Sequence, residues 1–424
     1  MVLVYDWSMM LGMADLNTDI LVAGAGLNGL AVALLLAERG ASVTIVDPLS
    51  EEQLSDPNKD WRTTAIAQGS MRILDRLGVW QPDWLGGAIT EIRIIDRDSP
   101  FYLHYPGDWL NEGALGCVVP NSSLWKAKFE VVSATSRIKL ISGVSISSTE
   151  QLTGTVRAEL SDSRLVNARL LVGADGRGSP TRQSAGIKER RSNYGQISIV
   201  TTVAHQFPHG NSAHERFLAS GPFAILPLPD NQDSDAPWPH QSSVVWTEGN
   251  LQAARLLELE RESFDRELAI RFGDQFGHVC SVGPIGSFPL ALVRAEKMIG
   301  PRLALVGDAA RAIHPIAGQG FNLGLRDSAE LAMRVGERLE LGLDPASPDI
   351  LSAYQTARFM DAAGLVTATD SLNRLFSNSL PGLTLVRSLG LAAVDKAPPM
   401  KRLLMKHAMG LAGQSAALAG TKAV

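Results

Sequence analysis

Ile20-Leu21-Val22-Ala23-Gly24-Ala25-Gly26-Leu27-Asn28-Gly29 is the stretch on which the fold turns. Its four leading apolar residues read as a strand buried on both faces, the kind that sits inside a parallel sheet. A GxGxxG loop follows, and then an apolar-rich segment through Glu38 that reads as a helix. The glycines have separate tasks. Gly24 permits the tight turn, Gly26 lets the backbone approach a pyrophosphate, and Gly29 allows the helix to pack closely on the strand. The helix start offers unpaired N–H groups and the positive end of its dipole to phosphates. A second strand, Val43 to Val46, ends in Asp47, whose carboxylate is placed to accept hydrogen bonds from an adenosine ribose. Together these features predict a Rossmann-like dinucleotide cradle, without separating FAD from NAD.

Two further strand-to-helix units carry glycine clusters, Leu170 to Gly186 and Leu303 to Leu331. Between them the chain is turn-rich and strand-like. Ile92 to Asp96 is β-branched, and Phe223 to Leu228 and Ser243 to Trp246 flank a polar loop, which predicts a hairpin. From Pro348 onward apolar residues recur every three or four positions, a helical pattern. The expected architecture is α/β and interleaved. Segments 17–90, 115–190 and 290–345 build a discontinuous cofactor domain. Segments 91–114 and 191–289 build a second domain around a mixed β-sheet. Residues 346–424 form a C-terminal helical region, and 1–16 read as a flexible extension, with no basic leader to suggest a secretory signal.

Composition narrows the function. The chain has 424 residues, 45% hydrophobic and 20% charged, with a net charge of -5, so nucleic acid is not an expected partner. Cys117 and Cys280 are its only two cysteines, and its eight histidines form no HExxH-like pair, so no metal site is predicted. The longest apolar stretch, near Leu30 to Ala37, is too short to span a bilayer.

Leu171-Val172-Gly173-Ala174-Asp175-Gly176-Arg177-Gly178-Ser179, with Arg182 following, resembles the Asp-Gly fingerprint of single-component FAD monooxygenases. Leu305-Val306-Gly307-Asp308-Ala309-Ala310, continuing to His314-Pro315 and Gly318-Gln319-Gly320-Phe321-Asn322, resembles their Gly-Asp fingerprint. The run from His314 to Asp327 is especially similar to the ubiquinone-biosynthesis hydroxylases, relatives of para-hydroxybenzoate hydroxylase. The resemblance extends from about Asp19 to Gly410. It implies a glutathione-reductase-like FAD domain, with Asp175 and Gly176 serving both FAD and the nicotinamide donor. Taken alone, Asp175 reads as an ordinary turn aspartate. Arg62, in Asp60-Trp61-Arg62, matches the family's Asp-x-Arg beside the flavin, and Asn121 matches a further FAD contact region more loosely.

The third unit also has its own logic. Asp308 stands at the C-terminal end of a strand, where α/β sheets bind ligands, and suits the hydroxyls of a ribityl chain. Gly307 accompanies it in the turn. Gly318 and Gly320 let backbone pass close to a planar ring, and a helix starting near Phe321 would aim its dipole at that ring. Gln319 and Asn322 are candidates for the flavin pyrimidine edge, through side chain or backbone. His314 reads as a residue satisfying backbone in the turn over the flavin, and Pro315 as one that shapes the cavity there. Arg311 departs from the histidine that many flavin hydroxylases carry.

The resemblance implies that NAD(P)H reduces the flavin and that O₂ adds to form a hydroperoxyflavin, which hydroxylates the ring of a polyprenylated phenol. Gly221 to Leu228 could supply an apolar wall for the substrate. The alternatives are a hydroxylase of a small soluble aromatic acid, a flavin-dependent reductase of isoprenoid lipids, and a flavin-bound scaffold without activity. From Ser371 to Val424 there are seven basic residues against one acid. A helix with Met400, Leu403, Leu404, Ala408 and Leu411 on one face, and Lys401, Arg402 and Lys406 nearer the other, would suit an anionic bilayer surface. The expected location is cytoplasmic, with peripheral contact to the inner membrane or to a ubiquinone-biosynthesis complex. Oligomeric state is left open.

Overall fold

The computed structural model describes residues 15–56, 60–80, 86–96, 99, 102–110, 113–231, 235–314, 318–376 and 394–411. Three sheets organise them. The first runs in the order Ile299–Gly300, Leu303–Leu305, Leu165–Gly173, Leu16–Ala23, Val43–Asp47, Ile138–Ser142, with Val156–Leu160 and Ile146–Gln151 branching from its middle. The strands from Leu303–Leu305 to Ile138–Ser142 are parallel, so each join needs a crossover. Helix Leu27–Glu38 supplies the first. Its residues Leu30 to Ala37 are all buried, which explains why that stretch is apolar all round.

The second sheet has the order Arg311–Ala312, Gly286–Ala295, Glu189–His205, His240–Gly249, Gly221–Leu228, Ser212–Leu218, Glu91–Asp96, Tyr102–Pro106. The expected hairpin is there, with Phe223 opposite Trp246. Alternation gives this sheet two faces. Phe223, Ile225, Val244 and Trp246 pack with Phe264, Leu268 and Phe272 of helix Arg261–Phe272. Ala213, Leu226 and Leu228 point the other way, into a cluster with Ile89 and Val118. Those two belong to a small third sheet, Thr63–Ala67, Gly116–Pro120 and Gly87–Ile89, wedged against the second. The fit is close: a Cβ on Gly87 would lie 1.9 Å from the Pro227 carbonyl oxygen.

Two expectations need correction. The second sheet takes in residues assigned to the cofactor domain, because Gly286–Ala295 continues past 290 and Arg311–Ala312 pairs with it. The C-terminal helix Pro398–Ala408 also faces differently. Met405 and Met409 are 1% and 2% exposed and fill the cluster around Leu103 and Tyr105. Lys401, one turn earlier on the same stripe, is buried too. Its Nζ donates to Asp395 at 2.6 Å and sits 4.6 Å above the Trp109 ring, which keeps a buried ammonium compensated. Met400, Leu403 and Leu404 are left exposed. The expected N-terminal extension lies outside the described residues apart from its end, where Leu16 already begins the first strand.

Candidate active site

The three glycine-bearing turns meet. Gly24 has φ +103°, and a Cβ there would come within 2.7 Å of the Ala174 carbonyl oxygen, in the Asp-Gly turn. Gly307 has φ +59°, and a Cβ there would lie 2.4 Å from Asn28 Nδ2, in the first helix. A Cβ on Gly324 would strike the same Asn28 amide at 2.5 Å. Asn28 therefore sits between the first loop and both sides of the third. Its Oδ1 is buried with no hydrogen-bond partner among the described residues. Gly29 is equally constrained, since its Cβ would lie 1.9 Å from the Gly24 carbonyl oxygen. Gly26, by contrast, faces open space and begins helix Leu27–Glu38 with no side-chain cap.

The acids in these turns behave differently. Asp47 Oδ2 accepts from the Ala25 amide at 2.7 Å and Oδ1 from the Leu49 amide at 2.9 Å, which holds the carboxylate beneath the glycine loop. Asp175 accepts from the Ser179 hydroxyl and, at 2.8 Å, from the Thr181 amide, so its carboxylate closes its own turn. Gly176 (φ +81°) beside it faces open space. Asp308 receives no hydrogen bond on its side chain among the described residues. Burial pushes its carboxyl up, while Arg177 and Arg62 pull it down.

Arg62 and Asn121 form one unit through Asp60. Arg62 donates from Nε at 2.6 Å and Nη2 at 2.8 Å to the two Asp60 oxygens. Asn121 Nδ2 donates to Asp60 at 2.9 Å, and Asn121 Oδ1 accepts from Thr64. Burial alone would raise the Asp60 carboxyl, but the bonds from Arg62 and Asn121 outweigh it and hold it low. The Arg62 guanidinium lies 4.9 Å over the Phe288 ring of the second sheet. A Cβ on Gly286 would meet the Trp61 ring at 2.3 Å, so the Asp60–Arg62 segment packs closely on the second sheet.

Helix Gln319–Glu340 starts two residues before the expected Phe321, because Gly318 adopts the left-handed conformation (φ +62°) that ends the preceding loop. No side chain caps it, and Gly320 faces open space. Gln319 is buried. Phe321 is half-buried under Nζ of Lys128, 4.2 Å from its ring centre. The Asn322 side chain is committed to protein, a departure from its expected flavin contact. Its Oδ1 accepts from the Ala67 amide at 2.9 Å, and its Nδ2 donates to the Ala65 and Gly318 carbonyls at 2.9 and 3.2 Å. It staples the small sheet to the helix start. His314 is 1% exposed and meets the Tyr194 ring edge-on at 5.1 Å. Pro315 lies outside the described residues.

Several contacts that support the site could not be read from the sequence. Arg182, 1% exposed, donates to the Ala309 carbonyl at 2.8 Å and the Arg177 carbonyl at 2.9 Å, tying the second turn to the third. Asp327 accepts from the Gly307 amide at 3.2 Å and from Arg358 at 2.6 Å. Arg311 also bonds Asp327, so the arginine that departs from the family pattern belongs to this buried network. Trp125 Nε1 donates to the Ala25 carbonyl at 2.8 Å, and Lys128 Nζ to the Leu27 carbonyl at 2.9 Å. Arg182, Arg311 and Asp327 stand in the stretches quoted from the sequence, but no local pattern showed what they bind, because most of their partners are distant in the chain.

The family described as FAD binding domain matches residues 17–369. Ubiquinone hydroxylase UbiL of Rhodospirillum rubrum is 44% identical over 94% of this chain and 91% of its own length. The 3-demethoxyubiquinol 3-hydroxylase of Escherichia coli is 32% identical over 94% of this chain and all of its own. Among solved structures, p-nitrophenol 4-monooxygenase PnpA from Pseudomonas putida superposes with a TM-score of 0.75 at 16% identity, over 95% of this chain and all of that one, which speaks for the fold alone. With the three turns joined and these relatives aligned along nearly its whole length, this chain belongs to the FAD-binding family that includes the hydroxylases of ubiquinone biosynthesis.

Proposed function

We infer that this protein is an FAD-dependent monooxygenase that uses NAD(P)H and O₂ to hydroxylate the aromatic ring of a polyprenylated phenol in ubiquinone biosynthesis. The observation that carries the reading is the convergence of the loops at Gly24, Asp175 and Asp308 on one site. The residues present fit FAD. Two long helices begin there without side-chain caps, at Gly26 and Gly318, leaving backbone N–H groups for ligand oxygens. Gly26 and Gly320 leave space where any Cβ would intrude.

In this reading the Gly24–Gly29 loop holds the pyrophosphate and Asp47 the adenosine ribose, through lone pairs its two amide donors leave free. Asp308 takes ribityl hydroxyls, and Arg62, with Asn121 fixed behind it, meets the pyrophosphate or ring edge. Gly318, Gln319 and Gly320 present backbone to the ring. Asp175 acts at one remove, by shaping the turn that places Gly176. Bound FAD supplies the redox and oxygen-transfer chemistry. The chain itself excludes water, positions the substrate ring and tunes the charge around both. Helix Gln319–Glu340 places its positive end at the ring, worth about 0.3–1 kcal/mol toward an anionic reduced state.

The face that helix Pro398–Ala408 leaves outward supports peripheral contact with an anionic bilayer. Met400, Leu403 and Leu404 are 52%, 53% and 40% exposed, with Arg402 and Lys406 exposed beside them. Among the described residues no helix is long and apolar enough to cross a membrane. Because Met405 and Met409 belong to the core, deleting the tail would open a cluster. Leu403→Ser with Leu404→Ser is the cleaner variant, expected to lose flotation with phosphatidylglycerol vesicles at unchanged flavin content; undiminished flotation refutes the contact.

The function is tested by quinone-intermediate profiling in a deletion strain, together with O₂ uptake by purified protein. A ring-unhydroxylated polyprenyl phenol should accumulate, and one O₂ should be consumed per hydroxylated product. NAD(P)H oxidation that reduces an isoprenoid lipid without O₂ uptake would refute it. Turnover confined to small aromatic acids would refute the lipid-linked substrate.

A further inference from the structure

On the second sheet, Glu215, Ala224, Val245, Val200 and Gly286 stand opposite one another on five successive strands. Strands lie about 4.8 Å apart, so the row spans roughly 19 Å. Its far end is the site already described, because Gly286 faces Trp61. Leu226 and Ser243 stand on the same face, two residues along from Ala224 and Val245, and the Ser243 hydroxyl accepts from Thr63 of the small sheet at 2.7 Å. The row therefore faces the cofactor domain. Between its ends it carries only small or β-branched apolar side chains, Ala224, Val245 and Val200, a flat apolar strip whose chemistry suits a planar ring.

Glu215 closes the other end. It is 9% exposed, and its neighbours on the flanking strands are Ala224 and Ile94. Three other buried acids are held: Asp47 by backbone amides, Asp327 by Arg311 and Arg358, and Glu248 by Trp246. No hydrogen bond or ion pair reaches the Glu215 carboxyl among the described residues. An unpartnered buried acid costs stability that a leucine would not. Burial pushes this carboxyl up to about 8, so at neutral pH it is mostly a neutral donor and acceptor.

We propose that Glu215 is a substrate-binding residue whose carboxyl hydrogen-bonds the ring hydroxyl of an uncharged phenol lying along this strip. The carbonyl oxygen accepts the phenol O–H. An uncharged ligand matches the environment, since a ring carrying its own carboxylate would put two acids in one low-dielectric space where both cannot ionise. The inference rests on the phenol-hydroxylase reading and names the residue that recognises the phenol.

The test is a thermodynamic cycle on flavin-loaded protein, following flavin absorbance during titration with 2-geranylphenol and with its methyl ether. Wild-type protein is expected to prefer the phenol about tenfold, the ratio one satisfied buried hydrogen bond provides. Glu215→Leu should abolish that preference while leaving ether affinity and flavin content unchanged. Glu215→Gln, whose amide oxygen still accepts, should keep it within about threefold. Should Glu215→Leu fail to hold flavin, Glu215→Met and Glu215→Ala complete the same cycle. An equal phenol preference in wild type and Glu215→Leu overturns the proposal, as does no preference in wild type. Wild-type protein that binds neither compound refutes the phenol reading itself, and the assignment of Glu215 falls with it.

Discussion

The Asp-Gly turn at 175 and the Gly-Asp turn at 308 are near mirror images in sequence, yet their carboxylates do opposite things. Asp175 spends both oxygens locally, on Ser179 and Thr181, and so caps the short helix Pro180–Ser184. Asp308, at the end of the adjacent parallel strand, is half-buried facing Arg62 and Arg177 and spends neither oxygen on a described residue. One acid builds the turn, and the other is left for a ligand. A motif thus identifies where a carboxylate will be without saying whether it remains available.

The largest expected effect comes from cutting the tie between the two turns. Arg182→Met strands the Ala309 and Arg177 carbonyls and takes from Glu189 one of its two arginine partners, leaving Arg191. It should cost about 2–6 kcal/mol in urea unfolding, from two carbonyls left unpaired at about 1–3 kcal/mol each. Next comes the comparison itself. Asp308→Asn should weaken FAD binding about 100-fold, or about 2.7 kcal/mol, in fluorescence titration of apoprotein, without lowering the apoprotein's unfolding midpoint.

Glu215 extends the contrast to the second sheet and gives it a pH signature. Its folded carboxyl titrates near 8 against an ordinary value of 4.5, so the unfolded chain releases this proton first. Its contribution to stability is therefore present below about pH 4.5, falls as pH rises toward 8, and is flat beyond. Between pH 5.5 and 8 the decline approaches about 3 kcal/mol at the limiting slope of roughly 1.4 kcal/mol per pH unit. Glu215→Gln should remove that slope from unfolding curves measured at the two pH values. The smallest effect is expected at Asp175. Asp175→Asn weakens a cap and should cost about 1 kcal/mol of stability, leaving FAD affinity within about threefold. Equal FAD loss from Asp175→Asn and Asp308→Asn would erase the distinction between the turns.

Much of the site was legible because backbone constraints are local. A strand, a GxGxxG loop and a helix can be read from some twenty consecutive residues, and the task given to Gly29 depends on a close approach inside that unit, to the Gly24 carbonyl, whereas the close neighbour of Gly24 is Ala174 in the second turn. Asn322 shows where this stops. Its position in the Gly318 to Asn322 run suggested a ligand contact, but its amide holds Ala65 and Ala67, more than 250 residues away. The C-terminal helix shows the same limit from another side. Spacing predicted amphipathicity correctly in kind, but the buried stripe is Lys401, Met405 and Met409 because Asp395 and Trp109 are there to receive the lysine.

By itself the amino-acid sequence determined where glycine was indispensable, which strands are buried on both faces, and which three turns carry acids. Steric limits on the backbone and the periodicity of apolar residues act over short distances, so they can be read from neighbours. Tertiary structure alone decided which polar groups remain free for a ligand. Whether Asp308 or Glu215 finds a partner depends on strands that arrive from elsewhere in the chain, and hydrogen bonding, unlike helix or turn geometry, is settled by whatever lies within about 3 Å.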